Sequence, residues 1–196
     1  MIVRFCRTIL LICLLCAVAA PAFAQPETPP NSIIEGLVVG ISEGDLITVN
    51  SFGTEIKVRL YGIATPQTAK VDKFTGWSKP GQPYAEEAFR ALSLKVLHQM
   101  VRVDIRRTVV LQQDREQRQF ALAVVYLDGR NINLEMVAEG WAWAYKKLVT
   151  GPDFHAYLFA ERRARARRVG LWDQDAPQPP WEFKPKLRVN PRHYSP

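Results

Sequence analysis

Cysteine is scarce in this chain, and its placement matters more than its number. All of it, Cys6, Cys13 and Cys16, falls within the first 24 residues. Residues 25 to 196 therefore have no disulfide partner, and thiolate metal sites and cysteine nucleophiles are excluded from them. Their stability must come from burial. After residue 24 the sequence also lacks any apolar run approaching the roughly 20 residues that a membrane-spanning helix needs. No membrane contact is expected once the first segment is removed.

That first segment is laid out as a secretory signal peptide. Arg4 and Arg7 form a basic start, Thr8 to Ala20 an apolar run too short to span, and Ala22-Phe23-Ala24 a cleavage site that leaves Gln25 as the new N-terminus. An exported protein, periplasmic or secreted, is the expectation. A membrane anchor is the competing reading, and a lipoprotein at Cys16 is disfavoured by Leu15, where a small residue is required. Removing Arg4 and Arg7 takes the formal net charge from +7 to +5. A basic surplus suits a polyanionic partner such as nucleic acid, although it also simply favours solubility.

Hydrophobic residues make up 47% of the chain and charged residues 23%, which fits one globular core rather than a disordered chain. Residues 25–31 carry three prolines and read as a linker, so the fold begins near Ser32. From Ile33 to Ile63, β-branched runs broken at Ser42 to Asp45 and Ser51 to Gly53 predict a three-stranded antiparallel meander. Thr65 to Pro83, with its prolines and glycines, reads as a long loop. Tyr84 to His98 has a helical apolar period with Glu86 and Glu87 in its first turn. Two further strands are predicted over Val101 to Val110 and Phe120 to Leu127, separated by a charged loop from Gln112 to Gln119. Asn131 to Glu139 and Pro152 to Val169 read as helices closed by Gly140 and Gly170. Beyond Asp173, six prolines argue for an irregular tail over residues 173–196. Five strands with a helix between the third and fourth is the connectivity of the OB-fold, whose open face commonly holds oligonucleotides or oligosaccharides.

Several strings add to this order. EGDLITV at 43–49, VRLYGIATPQ at 58–67, GQPYAEEA at 81–88 and DREQR at 114–118 occur in sequence, followed by ALAVVYLDGRNINLEMVAEGWAWAY at 121–145 and ERRARARRVGLW at 161–172. Through them the chain resembles the staphylococcal nuclease (thermonuclease) family over about 140 residues. The resemblance implies an α+β domain at 32–172, a five-stranded OB-fold β-barrel with three α-helices. It also implies a calcium-dependent endonuclease acting on the phosphodiester bonds of single-stranded DNA or RNA. The family site pairs two Asp carboxylates and a Thr carbonyl around calcium with two phosphate-binding Arg and a Glu that activates water.

Carried onto this sequence, Asp45 matches the first calcium Asp, Thr65 the Thr and Arg59 the first phosphate Arg. The second Asp is replaced by Ala64 and the general-base Glu by Gln67. The string DREQR nominates Arg118 as the second phosphate Arg, but counting back from Asp128-Gly129 places Phe120 there unless a bulge intervenes. Tyr145 falls near a position whose ring contacts the substrate nucleotide. Asp72 and Glu43 are substitute carboxylates, neither at a family position. The cationic run Arg162, Arg163, Arg165, Arg167 and Arg168 reads as a solvated helix face or a binding surface, and Trp141 and Trp143 as core. Three readings follow: an exported nuclease with an altered site, a nucleic-acid-binding OB module that has lost cleavage, and a periplasmic scaffold using the barrel for other contacts.

Overall fold

A computed structural model of the chain describes residues 32–72, 76–113, 116–147, 153–184 and 188–189. The expected signal peptide (1–24) and linker (25–31) lie outside these residues. The meander forms as expected, with β1 at Ile33–Glu43, β2 at Leu46–Ser51 and β3 at Thr54–Leu60, all antiparallel. After them come β4 (Ile63–Ala64), β5 (Lys70–Val71), β6 (Trp77–Lys79) and helix α1 (Ala85–Val96). The second half of the chain runs β7 (Met100–Gln113), β8 (Glu116–Leu127), β9 (Arg130–Asn131), α2 (Ile132–Ala138), β10 (Trp143–Ala144) and α3 (Asp153–Ala166). A 3-10 turn at Gly170–Asp173 and β11 (Arg188–Val189) complete it.

The main sheet runs β3-β2-β1-β7-β8, and a parallel pairing of β3 with β8 closes it into a five-stranded barrel. This is the OB-fold architecture with three helices. Alternate residues turn inward, as the period of a strand requires. Ile47 and Val49, Val58 and Leu60, Val101, Val103 and Ile105, and Ala121, Ala123 and Val125 fill the interior, which Leu92 and Val96 of α1 and Met136 and Val137 of α2 cover.

Asn133, fully buried on α2, pins the parallel seam. Its amide donates to the Tyr61 and Ala123 carbonyls at 2.9 and 3.0 Å, and its oxygen accepts from the Val125 amide at 3.0 Å. The side-chain oxygen of Asn131 caps the same helix by accepting from the Leu134 amide.

Three sequence expectations change. The charged loop from Gln112 to Gln119 is largely strand, because β7 and β8 continue as a paired ladder from Thr108↔Ala121 to Gln113↔Glu116. The long loop from Thr65 to Pro83 contains the β5–β6 hairpin. The tail is not wholly irregular either: Arg188 and Val189, in the proline-free window between Pro185 and Pro191, pair with Ser78 and Trp77 of β6. The end of α3 docks beside α2 at a close crossing. Gly140 has φ +80°, and a Cβ there would lie 2.2 Å from the Val169 carbonyl oxygen, so only glycine fits.

Candidate active site

The site residues lie at one end of the meander. Glu43 closes β1, Gly44 and Asp45 make the turn, and the β2–β3 ladder sets Leu46 opposite Arg59. Asp45 therefore abuts Arg59, and its carbonyl accepts from the Leu60 amide at 2.8 Å. β10 pairs with β4 through Trp143↔Ala64 and Ala144↔Ile63, which brings Tyr145 to the same end. Together these segments wall a cleft of ≈ 390 Å³ that includes Glu43, Asp45, Arg59, Thr65, Gln67 and Lys70, with Tyr145 and Trp181 at its rim.

Within the cleft, charge is paired with charge. One Arg59 nitrogen donates to both Asp45 oxygens at 2.9 and 3.0 Å, and the other donates to Glu43 Oε2 at 3.1 Å. Glu43 Oε1 accepts from Lys70. The Arg59 guanidinium also lies 5.5 Å from the Phe120 ring centre, a cation–π arrangement that holds its plane.

Burial pushes the Asp45 carboxyl up to about 6, against the attraction of Arg59 and with the help of the neighbouring Glu43 charge. Burial acts in the same sense on Glu43, but the Lys70 hydrogen bond and the Arg59 charge outweigh it and hold Glu43 below its ordinary value. Burial disfavours the Arg59 charge, yet Asp45 and Glu43 together raise its pKa.

Asp45, Arg59, Thr65, Gln67 and Tyr145, all nominated from the sequence, line this one cleft. Arg118 lies on β8 opposite Leu111. The β7–β8 ladder is regular from Thr108↔Ala121 to Leu111↔Arg118, and its one register shift falls between Ile105 and Arg107. No bulge therefore returns Arg118, and Phe120 occupies the strand position facing Arg59; the Arg118 side chain lies outside the described residues. Asp72 sits in the β5–β6 turn, where its carbonyl accepts from the Gly76 amide and its own amide donates to the Trp77 carbonyl. Glu43 is in the cleft, so of the two substitute carboxylates it is the one placed near the chemistry.

The structure adds Lys70, Gln82 and Trp181. Gln67 donates its side-chain amide to the Pro180 carbonyl at 2.6 Å, and Gln82 donates to the Gln178 carbonyl at 3.0 Å. Gln82 also accepts from the Gln67 backbone amide at 2.9 Å. Two amide side chains thus hold the proline-rich tail across the mouth of the cleft. Trp181, carried by that tail, packs on Tyr145 with ring centres 5.2 Å apart.

Three of the five arginines in the cationic run along and just after α3 bind to the fold. Arg165 pairs with Glu161 and stacks over Trp172 at 4.2 Å, Arg167 donates to the Ala138 carbonyl and Arg168 to that of Asp173. Trp143 is buried edge-on against Trp172, while Trp141 packs half-buried on the main core.

The donor set does not fit a resident calcium ion. That hard cation takes six to eight oxygens with several charged ligands. Glu43 and Asp45 are the carboxylates of the cleft, both are bonded to cations, and Ala64 offers no side-chain oxygen. Among the described residues no three His, Cys, Asp or Glu side chains are grouped to share an ion.

A small OB barrel whose mouth gathers a half-buried arginine, a lysine, two carboxylates and an aromatic rim defines a polar, charge-paired site at the end of the meander. The profile of staphylococcal nuclease homologues matches residues 57–174. The chain is 36% identical over 154 residues to an uncharacterized endonuclease of Haemophilus influenzae, covering 78% of this chain and 74% of that protein. It is 32% identical over 177 residues to a micrococcal nuclease of Shigella flexneri, covering 86% and 90%. Protein ParB of Escherichia coli is 31% identical over 175 residues, covering 86% and 89%. The chain belongs to the staphylococcal nuclease homologue family.

Proposed function

We propose that this protein is an exported nuclease that binds single-stranded nucleic acid across the mouth of its barrel and hydrolyses phosphodiester bonds slowly. The observation that carries the reading is the Arg59 guanidinium, fixed by Asp45, Glu43 and Phe120 at the cleft wall. A guanidinium fork matches a phosphate in geometry and opposes the charge that develops as the phosphoryl group is attacked. Phosphate entering the cleft competes with the two carboxylates for that fork, which makes binding weaker than at an unpaired arginine.

The slowness follows from two residues. An amide at Gln67 has no basicity with which to take a proton from water, and a positioned general base is typically worth about 10² to 10⁴ in rate. Ala64 supplies no second charge. Nucleases of this family are generally calcium-dependent. With Asp45 and Thr65 as the remaining family ligands, calcium binding in this chain is weakened, and no step is assigned to the ion.

A second reading, binding without cleavage, is favoured by one observation: Gln67 is committed to the Pro180 carbonyl. Cleavage of single-stranded DNA by the purified protein, with and without calcium and beside Arg59→Ala, separates the two. Slow cleavage lost in Arg59→Ala supports the nuclease; salt-sensitive binding with no cleavage supports the binding module. Neither binding nor cleavage at low salt leaves the scaffold reading. Export is tested separately, by fractionating cells that express the full chain and locating the processed form.

A further inference from the structure

Tyr145 and Trp181 line not one cleft but two. Behind them lies a second cleft of ≈ 230 Å³, walled by Trp143, Lys146, Lys147, Glu161 and Arg165. The two spaces differ in charge. In the first, both cations are bonded to carboxylates. In the second, Glu161 is matched by Arg165, and the exposed Lys146 and Lys147 have no carboxylate partner among the described residues. The uncompensated positive charge next to the site therefore sits beyond the aromatic pair rather than at Arg59.

The pair itself is built to stay in place. Gln67 and Gln82 hold the backbone at Pro180 and Gln178, and the Glu182 amide donates to the Pro179 carbonyl at 3.0 Å. Three prolines between residues 177 and 180 limit the backbone freedom that remains. Trp181 is nevertheless 47% exposed, so a large aromatic surface is presented to solvent by a fixed segment between two clefts. Tyr145 is half-buried and braces it.

We infer that Trp181, braced by Tyr145, and the pair Lys146 and Lys147 form a second nucleotide subsite. A base of a single-stranded nucleic acid stacks on the exposed face of Trp181, and the adjoining phosphate lies in the second cleft against the two lysines. This rests on the nucleic-acid reading above and deepens it. Stacking tolerates any base because each has a π-face, whereas the lysines supply salt-dependent attraction without sequence preference. The strand crosses from Arg59 over the aromatic pair to the lysines, so the protein holds consecutive nucleotides rather than one.

The test is fluorescence anisotropy with a labelled thymidylate hexamer, in chelator and with the recovered hexamer checked to be uncut, at two or more salt concentrations. Trp181→Ala should weaken binding about 5- to 100-fold, and Trp181→Phe should restore most of it. The double variant Lys146→Gln with Lys147→Gln should weaken binding and lower the slope of log affinity against log salt by about 1.4, as expected for two lost phosphate contacts on a single strand. Because both lysines are exposed, this variant carries the test even where Trp181→Ala disturbs the tail. Hexamer affinity and salt slope unchanged in both sets, while Arg59→Ala weakens binding, overturns the subsite and leaves the nucleic-acid reading standing. No hexamer binding by the unaltered protein at low salt overturns both.

Discussion

The Gln67 side-chain amide donates to the Pro180 carbonyl at 2.6 Å across 113 residues of sequence. The position that the sequence resemblance assigns to a proton acceptor here holds a donor, and the donor's partner is the chain's own tail. A glutamate at 67 would set a carboxylate against that carbonyl oxygen, with repulsion in place of a bond. Gln67→Glu should therefore loosen residues 178–182, with a local cost of about 1 kcal/mol for the lost hydrogen bond. Amide hydrogen exchange measures it. Faster exchange at Glu182, whose amide is bonded to the Pro179 carbonyl, is expected, while the barrel amides keep their protection. Unchanged exchange there would show that Gln82 alone holds the tail.

Restoring carboxylates tests the chemistry. Metal placement and water activation serve the same transition state and act as a unit. Ala64→Asp with Gln67→Glu should therefore raise calcium-dependent cleavage of single-stranded DNA more than the product of the single effects, within the roughly 10² to 10⁴ range of a positioned base. Single-turnover rates with saturating protein report this without interference from weaker binding. Fast calcium-dependent cleavage by the unaltered protein, lost in Arg59→Ala and unmoved by the two restorations, would show that another cleft group takes the proton. Glu43 would then be the first to examine.

Asp45 makes stability depend on pH in a direction opposite to that of most paired carboxylates. Burial lifts its carboxyl to about 6 in the folded protein, from an ordinary value of 3.8. Between roughly pH 4 and 6 the folded state thus keeps a proton that the unfolded chain releases, and stability falls as pH rises through that window. The loss levels off above pH 6, where both states have released the proton. Glu43, held below its ordinary value, acts in the other sense, and the stability it contributes is lost only on further acidification. Urea denaturation in chelator at pH 4.5, 5.5 and 7 should show the decline, and Asp45→Asn should flatten it. A rise over the same range would mean that attraction to Arg59 outweighs burial.

What could be read from the sequence follows the kind of signal each element carries. The meander and the helices announce themselves because one face is apolar and the turns fall at Gly44-Asp45 and Phe52-Gly53. The stretch from Gln112 to Gln119 has no apolar alternation, so its pairing comes from the adjoining ladder and not from local pattern. The strings carrying Asp45, Arg59, Thr65 and Gln67 do meet in one cleft, as do the flanks that bring Tyr145. Lys70 and Trp181 bear no local mark of a site. Lys70 reaches Glu43 through a hairpin hidden in a proline-rich loop, and Trp181 arrives on a tail held by two glutamines remote in sequence. For Arg118 the sequence offers two alignments that differ by a bulge, and the β7–β8 backbone ladder is regular at Leu111↔Arg118.

Asn133 is a fully buried polar residue that bonds across the closing seam of the barrel. It satisfies the Val125 amide and the Tyr61 carbonyl, whereas the Ala123 carbonyl also accepts from the Tyr61 amide at 2.7 Å. Asn133→Ala therefore removes the acceptor of the buried Val125 amide, at a cost of about 1 to 3 kcal/mol. A loss in that range is expected, read as a lower urea midpoint with unchanged slope. Asn133→Asp distinguishes hydrogen bonding from packing, because it keeps the volume and the acceptor for Val125 but loses both donors. At neutral pH it sets a carboxylate against two carbonyl oxygens in the core, so it should destabilise at least as much as alanine. On acidification toward pH 4 the protonated acid regains one donor, and the gap to the unaltered protein should narrow. A deficit in Asn133→Asp that does not shrink at low pH would mean that this seam is held by packing rather than by these hydrogen bonds.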